Sequence, residues 1–149
     1  MKKTVFAVIV ALAISSMFLV ACGGGGGGGG AGSGLKRQNP PADYANAKNP
    51  FEGNTTAVTA GKAVFEANCV PCHGQDAKGD GPAGASLNPK PANLQLTVKE
   101  TNPQYQHWVV NVGGAAAGLS AQMPAFKGVL SDEDTWRVVT YLDQTYGGK

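Results

Sequence analysis

Two cysteines and a histidine, Cys69, Cys72 and His73, fall within the stretch "NCVPCHGQDAKGDG". The chain of 149 residues holds one other cysteine, Cys22, and one other histidine, His107. C-x-x-C-H is the spacing of a c-type haem attachment. Two thiols three positions apart share one side of a helical turn and can add to the two vinyl groups of one porphyrin. The next residue then carries its imidazole over the same ring, within reach of the iron. A structural zinc site needs about four ligands, usually from two pairs, and no second Cys or His pair is present. A thioredoxin-like redox pair needs a βαβ setting, which the sequence does not offer. A Cys69–Cys72 disulfide is compatible with the spacing alone, but the adjacent histidine points to haem. The opposite face of the iron needs its own ligand, and Met123 in "AQMPAF" is the candidate. Gly113, Gly114 and Gly118 precede it and let the backbone approach a flat ring, while Pro124 stiffens the loop around the sulfur. His107, beside Trp108 in mid-helix and off the apolar face, reads as a surface histidine; bis-histidine ligation and water are the alternatives.

Three helical stretches must position these residues. Residues 59–68 ("TAGKAVFEAN") place Ala60, Val64 and Ala67 on one face with Phe65 beside them. Residues 102–112 open with Pro103, tolerated in a first turn, and carry Tyr105, Trp108, Val109 and Val112 at helical spacing. The third begins at Ser131, where "SDED" combines a capping serine with carboxylates favoured by the helix dipole. Val138, Val139, Leu142 and Tyr146 continue its apolar face, and Gly147 ends it. Strand signals are sparse. The connections 73–101 and 113–130 are long and rich in Gly, Pro and Asn, which suits a small all-α domain whose middle is filled by something other than side chains.

The ends of the chain read differently. Lys2 and Lys3 precede an apolar run over residues 5–14, and small residues follow, as in a secretory signal. "LVAC" at residues 19–22 resembles the lipobox of bacterial lipoproteins, which implies cleavage before Cys22 and a diacylglycerol thioether on its sulfur. Removal of residues 1–21 leaves ten basic against ten acidic residues. A neutral chain without a basic cluster gives no support for nucleic-acid binding, and membrane attachment would come from the lipid. The organisation expected is a signal peptide over residues 1–21, a lipid-anchored Gly-rich linker over 22–50 and a folded domain over 51–149. A coil of the linker's length spans roughly 30 Å on average and about 95 Å when extended.

"GKAVFEANCVPCHG" followed by "MPAFKGVLSDEDTWRVVTYL" closely resembles the monohaem class I cytochromes c. The similarity covers about residues 59–146. It implies the class I fold, three to four helices wrapped around one covalently attached haem c, with Cys69, Cys72, His73 and Met123 as its attachment and ligand residues. It also implies that Gly61 and Phe65 pack against Tyr141 and Leu142 of the C-terminal helix. Either Pro89 or Pro91 would offer the backbone carbonyl that accepts the proximal histidine's Nδ1–H and orients the ring.

His/Met ligation leaves no open coordination position and raises the haem potential, so the expected task is one-electron transfer and not catalysis. Donor and acceptor would be redox proteins, and the carrier a monomer on the periplasmic or cell-surface side. Gly23 after Cys22, where many inner-membrane lipoproteins have aspartate, favours the outer membrane. The alternatives are an electron-entry subunit of a larger oxidoreductase and a haem domain that binds gaseous ligands or peroxide by shedding Met123.

Overall fold

Side-chain caps fix where the long helices begin. The computed structural model describes residues 36–148, which form α1 (Ala42–Ala45), α2 (Thr55–Asn68), α3 (Val70–His73), α4 (Leu94–Glu100), α5 (Pro103–Ala116) and α6 (Asp132–Tyr146). A single 3-10 turn, Pro82–Gly84, lies in the long loop after α3. Among the described residues no strand forms, only an isolated bridge between Lys127 and Leu130. The signal segment, Cys22 and the glycine run lie outside the described residues.

Asn54 accepts from the Ala57 N–H at 3.0 Å, Asn102 from Tyr105 N–H at 2.8 Å and Ser131 Oγ from Asp134 N–H at 3.0 Å. Each satisfies a first-turn donor that the helix cannot. The Asn54 cap starts α2 four positions before the expected Thr59. The buried stripe of α2 is consequently Ala57, Gly61 and Phe65, with Ala67 exposed and Ala60 half-buried. In α5 the expected face holds: Trp108 and Val109 are buried, and Tyr105 and Val112 pack against them. Regular helix stops at Gly113, whose φ of 78° turns the chain into a second short turn.

The α2–α6 crossing is the main helix contact. It is close because Gly61 lies against the Arg137 carbonyl of α6, where a Cβ would collide. Phe65 meets the Tyr141 ring there, with centroids 5.6 Å apart at 48°. Phe65, Ala77, Val98, Val138, Tyr141 and Leu142 form one buried cluster. Trp108, Val109 and Ala117 form a second around α5.

The folded unit starts earlier than residue 51. Gln38 N–H donates to the Ala117 carbonyl at 3.0 Å, and Gln104 Nε2 to the Ala47 carbonyl at 3.1 Å. Asn49 Nδ2 donates to Thr140 Oγ1 at 3.0 Å, and Tyr44 packs against the α5 cluster. Residues 36–50, expected as linker, thus lie along α5 and α6. Their prolines suggest a stiff spacer, but Tyr44 and Asn49 give them partners.

Candidate functional site

α3 is a single turn built around the site. The Cys69 carbonyl accepts from Cys72 N–H at 3.2 Å and His73 N–H at 2.8 Å, which sets the two cysteines and the histidine within one helical turn. Gly74, with φ 77°, reverses the chain. The following loop returns onto α3: Gly79 N–H donates to the His73 carbonyl at 2.8 Å and Gly81 N–H to the Cys72 carbonyl at 3.1 Å. The return is tight enough that a Cβ on Gly81 would stand 2.5 Å from both the Val70 and Pro71 carbonyl oxygens. Glycine is needed there for close approach of two backbones.

Neither thiol is in a disulfide, and both are half-buried. Burial, and secondarily the neighbouring Cys72, pushes the Cys69 thiol up to about 12. A thiol raised in this way is a poor redox nucleophile in the free chain, since the thiolate is the reactive form. Among the described residues no group of three or more His, Cys, Asp or Glu side chains is arranged to hold a metal ion.

His73 Nδ1–H donates to the Ala92 carbonyl at 3.1 Å. A carbonyl only accepts, so this contact assigns the proton to Nδ1 and leaves the Nε2 lone pair available. Burial lowers the His73 pKa, with the Ala92 bond opposing, a shift toward the neutral imidazole that ligates a metal. The acceptor is therefore not a proline carbonyl. Pro89 and Pro91 lie just upstream, where the Pro91 ring packs on Gly84 and its carbonyl faces Gly79. They shape the loop that presents Ala92.

Met123 is half-buried and packs on the second cluster of Trp108, Val109 and Ala117. Its carbonyl accepts from Gly114 N–H at 3.0 Å, and a Cβ on Gly114 would come within 3.2 Å of its own Cβ. The glycines before Met123 thus bring its loop onto the end of α5. Cys69 and Val70 border the α2–α6 cluster, whereas Met123 borders the α5 cluster. The Tyr105 hydroxyl, in the same cluster as Met123, is buried with no hydrogen-bond partner.

These features fit haem c: two free thiols in C-x-x-C-H order on one turn, an imidazole with Nε2 available and a thioether on a separate apolar cluster. The unpaired Tyr105 hydroxyl is a polar contact a porphyrin's carboxylates could satisfy. His107 does not join them. It is 4% exposed, stacked on Trp136 with centroids 3.9 Å apart at 9°, and Nε2 lies 2.9 Å from Asp132 Oδ1. It is a core residue, not the surface histidine expected, because α6 and Tyr44 cover the α5 face that carries it. Its i,i+4 partner Asn111, whose Nδ2 donates to the His107 carbonyl at 2.9 Å, was the local hint of a buried polar pair.

A family model described as "Cytochrome C oxidase, cbb3-type, subunit III" matches residues 56–142. Cytochrome c6 of Leptolyngbya boryana is 37% identical over 85 residues, covering 57% of this chain and 88% of that protein. Cytochrome c6 of a Synechocystis species is 34% identical over 103 residues, covering 66% and 78%. Cytochrome c550 of Pseudomonas aeruginosa is 26% identical over 101 residues; the match spans 66% of this chain and 63% of that one, under two thirds of its length. Among solved structures, a chain of the Kuenenia stuttgartiensis reducing HAO-like protein complex aligns with a TM-score of 0.53 at 22% identity, covering 73% of this chain and 51% of that chain. Cytochrome CL from Methylophaga aminisulfidivorans aligns with a TM-score of 0.53 at 16% identity, covering 75% and 73%. At these identities the structural matches establish the fold.

Proposed function

The chain belongs to the cytochrome c family, whose cbb3-type subunit III model covers residues 56–142, and from that premise we propose a one-electron carrier with a single haem c ligated by His73 and Met123, exported and anchored to a membrane through Cys22. Haem c supplies an iron that alternates between ferrous and ferric states. Cys69 and Cys72 would hold the group through their sulfurs, and His73 would offer Nε2. The observation that carries the reading is the His73 Nδ1–Ala92 bond, which fixes both the tautomer and the direction of the ring.

Met123 offers its thioether from a loop pinned to α5 by the Gly114 bond. A haem held by both His73 and Met123 would leave no position for a substrate, which favours electron transfer over peroxide or gas binding. Export is supported by the basic start and apolar run of residues 1–21. Among the described residues no helix is long and apolar enough to cross a membrane.

The test is an optical redox titration of the purified protein beside Met123→Ala. A far-red Met-to-iron band in the oxidised protein, lost in the variant together with a fall in potential, is the expected result. An unchanged spectrum in Met123→Ala overturns the ligand assignment.

A second reading is favoured by the family model's description, which names an oxidase subunit, and by a structural neighbour that comes from a protein complex. On that reading the domain feeds electrons into a larger oxidoreductase. Stoichiometric co-purification with a large partner supports it, and a monomeric elution profile from solubilised membranes supports the free carrier.

A further inference from the structure

We propose that residues 36–45 form a strap that holds the Met123 loop against α5 and thereby governs how readily Met123 leaves the iron. The proposal rests on the His73/Met123 ligation above.

After Met123 the segment between Gly113 and Leu130 is tied to α5 by Phe126 N–H on the Val110 carbonyl and Lys127 N–H on the Asn111 carbonyl, both at 3.0 Å. Before Met123, residues 117–119 bond back only to Gly114 and Ala115, Ala121 and Gln122 are exposed, and this is the stretch the strap covers. The strap touches this segment at three places. Gln38 N–H donates to the Ala117 carbonyl at 3.0 Å. The Lys36 carbonyl lies against Gly118, which has φ +69° and no room for a Cβ. Tyr44 packs on the same Trp108, Val109 and Ala117 cluster that supports Leu119 and Met123. The strap is itself held by Arg37, whose Nη2 donates to Glu100 Oε2 at 3.3 Å, and by the Gln104 bond to the Ala47 carbonyl. Swinging the loop outward to free the thioether would disturb the Ala117 bond and the shared cluster. Tyr44 and Gln38 are therefore positioning residues.

Imidazole titration of the full-length, haem-loaded protein tests this, with the far-red band as the readout of Met123 ligation. Tyr44→Ala removes the aromatic contact, and Gln38→Pro removes the backbone donor. Each should bind imidazole about tenfold more tightly than the parent, the scale of one lost hydrogen bond or aromatic contact. Tyr44→Phe should behave like the parent. So should Asn49→Ala, which loosens the same segment at its Thr140 end, away from the loop. Parent-like imidazole binding by both Tyr44→Ala and Gln38→Pro overturns the strap and leaves the ligation intact. The same tightening in Asn49→Ala also overturns it, since the effect would then be general loosening. A parent protein with no far-red band overturns the ligation, and the strap with it. Should Tyr44→Ala fail to fold, Gln38→Pro decides, with Gln38→Ala beside it to separate loss of the side chain on Gly118 from loss of the backbone bond to Ala117.

Discussion

Replacing Gly61 by alanine should destabilise the domain, although alanine is the better helix former. Glycine in a helix interior costs roughly 1 kcal/mol relative to alanine, so propensity alone predicts a gain of that size. The α2–α6 crossing opposes it. A Cβ at position 61 would overlap the Arg137 carbonyl oxygen, stand 2.5 Å from its carbon and 3.0 Å from Tyr141 Cβ. The first two atoms are backbone, so no rotamer change relieves them and the helices must separate. Overpacking of a core typically costs about 1–3 kcal/mol. A rigid backbone clash belongs at or beyond the upper end of that range, which leaves a net loss of about 2 kcal/mol after the propensity gain. For a domain near 100 residues this lowers the melting temperature by roughly 10 °C. Because Cys69 follows directly on α2, the shift would also move the attachment turn relative to α6. The assay is thermal unfolding of haem-loaded parent and variant, followed by far-ultraviolet circular dichroism. Ala63→Gly, at an exposed position of the same helix, serves as a propensity control expected to lose only about 1 kcal/mol. Gly61→Ala with parent stability or better would refute the reasoning, since it would show that the two helices have slack at their closest approach.

Ser131→Ala removes the acceptor for Asp134 N–H and should cost about 1 kcal/mol, measured by denaturant unfolding. His107 should make stability fall on acidification. Its pKa is lowered in the fold by burial, with Asp132 opposing, so the unfolded chain takes up the proton first. The His107 contribution is complete above the ordinary histidine value and declines as pH drops below it. Tyr44 and Trp136 flank the ring, and Asp132, Asp43 and Lys127 are the charged groups lining its cleft. Urea midpoints across that range should be flatter for His107→Gln than for the parent. Cys22→Ser should move the protein from the membrane fraction to the soluble fraction; continued retention would rule out the lipid anchor.

The parts of this fold that announce themselves in sequence are those whose cause is local. Ser131 with its acidic first turn and Asn102 before Pro103 act on neighbouring amides, and both long helices begin where those residues say. The end of α5 is similarly legible, because Gly113 adopts a φ open mainly to glycine. The start of α2 is less so: Asn54 caps it, but Thr55 and Thr56 are weak helix formers that disguise the first turn. α4 is hidden by the prolines and asparagines before it and lasts only seven residues. It persists because Val98, 2% exposed, packs into the α2–α6 cluster. For the site, Cys69, Cys72 and His73 are explicit because haem attachment fixes residue type and spacing. The acceptor for His73 is not, since any residue supplies a carbonyl and only the loop's path selects Ala92 over Pro89 or Pro91. His107 is misread for a related reason. Its burial comes from Trp136 and Tyr44, brought in from 29 positions after it and 63 before it.

The docking of residues 36–50 changes what the anchor allows. On the lipid-anchored reading, Cys22 was to be joined to the domain by residues 22–50, with an extended length of about 95 Å. Half of that length lies along α5 and α6, held by Gln38, Tyr44, Ala47 and Asn49. Only residues 22–35 separate the anchor from the described domain, and fourteen residues extend at most about 50 Å. On the same reading the linker would enter the described domain at Lys36, which sits against Gly118, five residues before Met123. A lipid-anchored carrier whose linker enters there would present the opposite face more readily to partners in the same membrane as the linker shortens. Shortening the chain within residues 23–30 should therefore slow exchange with a membrane-bound partner more than with a soluble one, whereas equal rates would show that the anchor leaves orientation free.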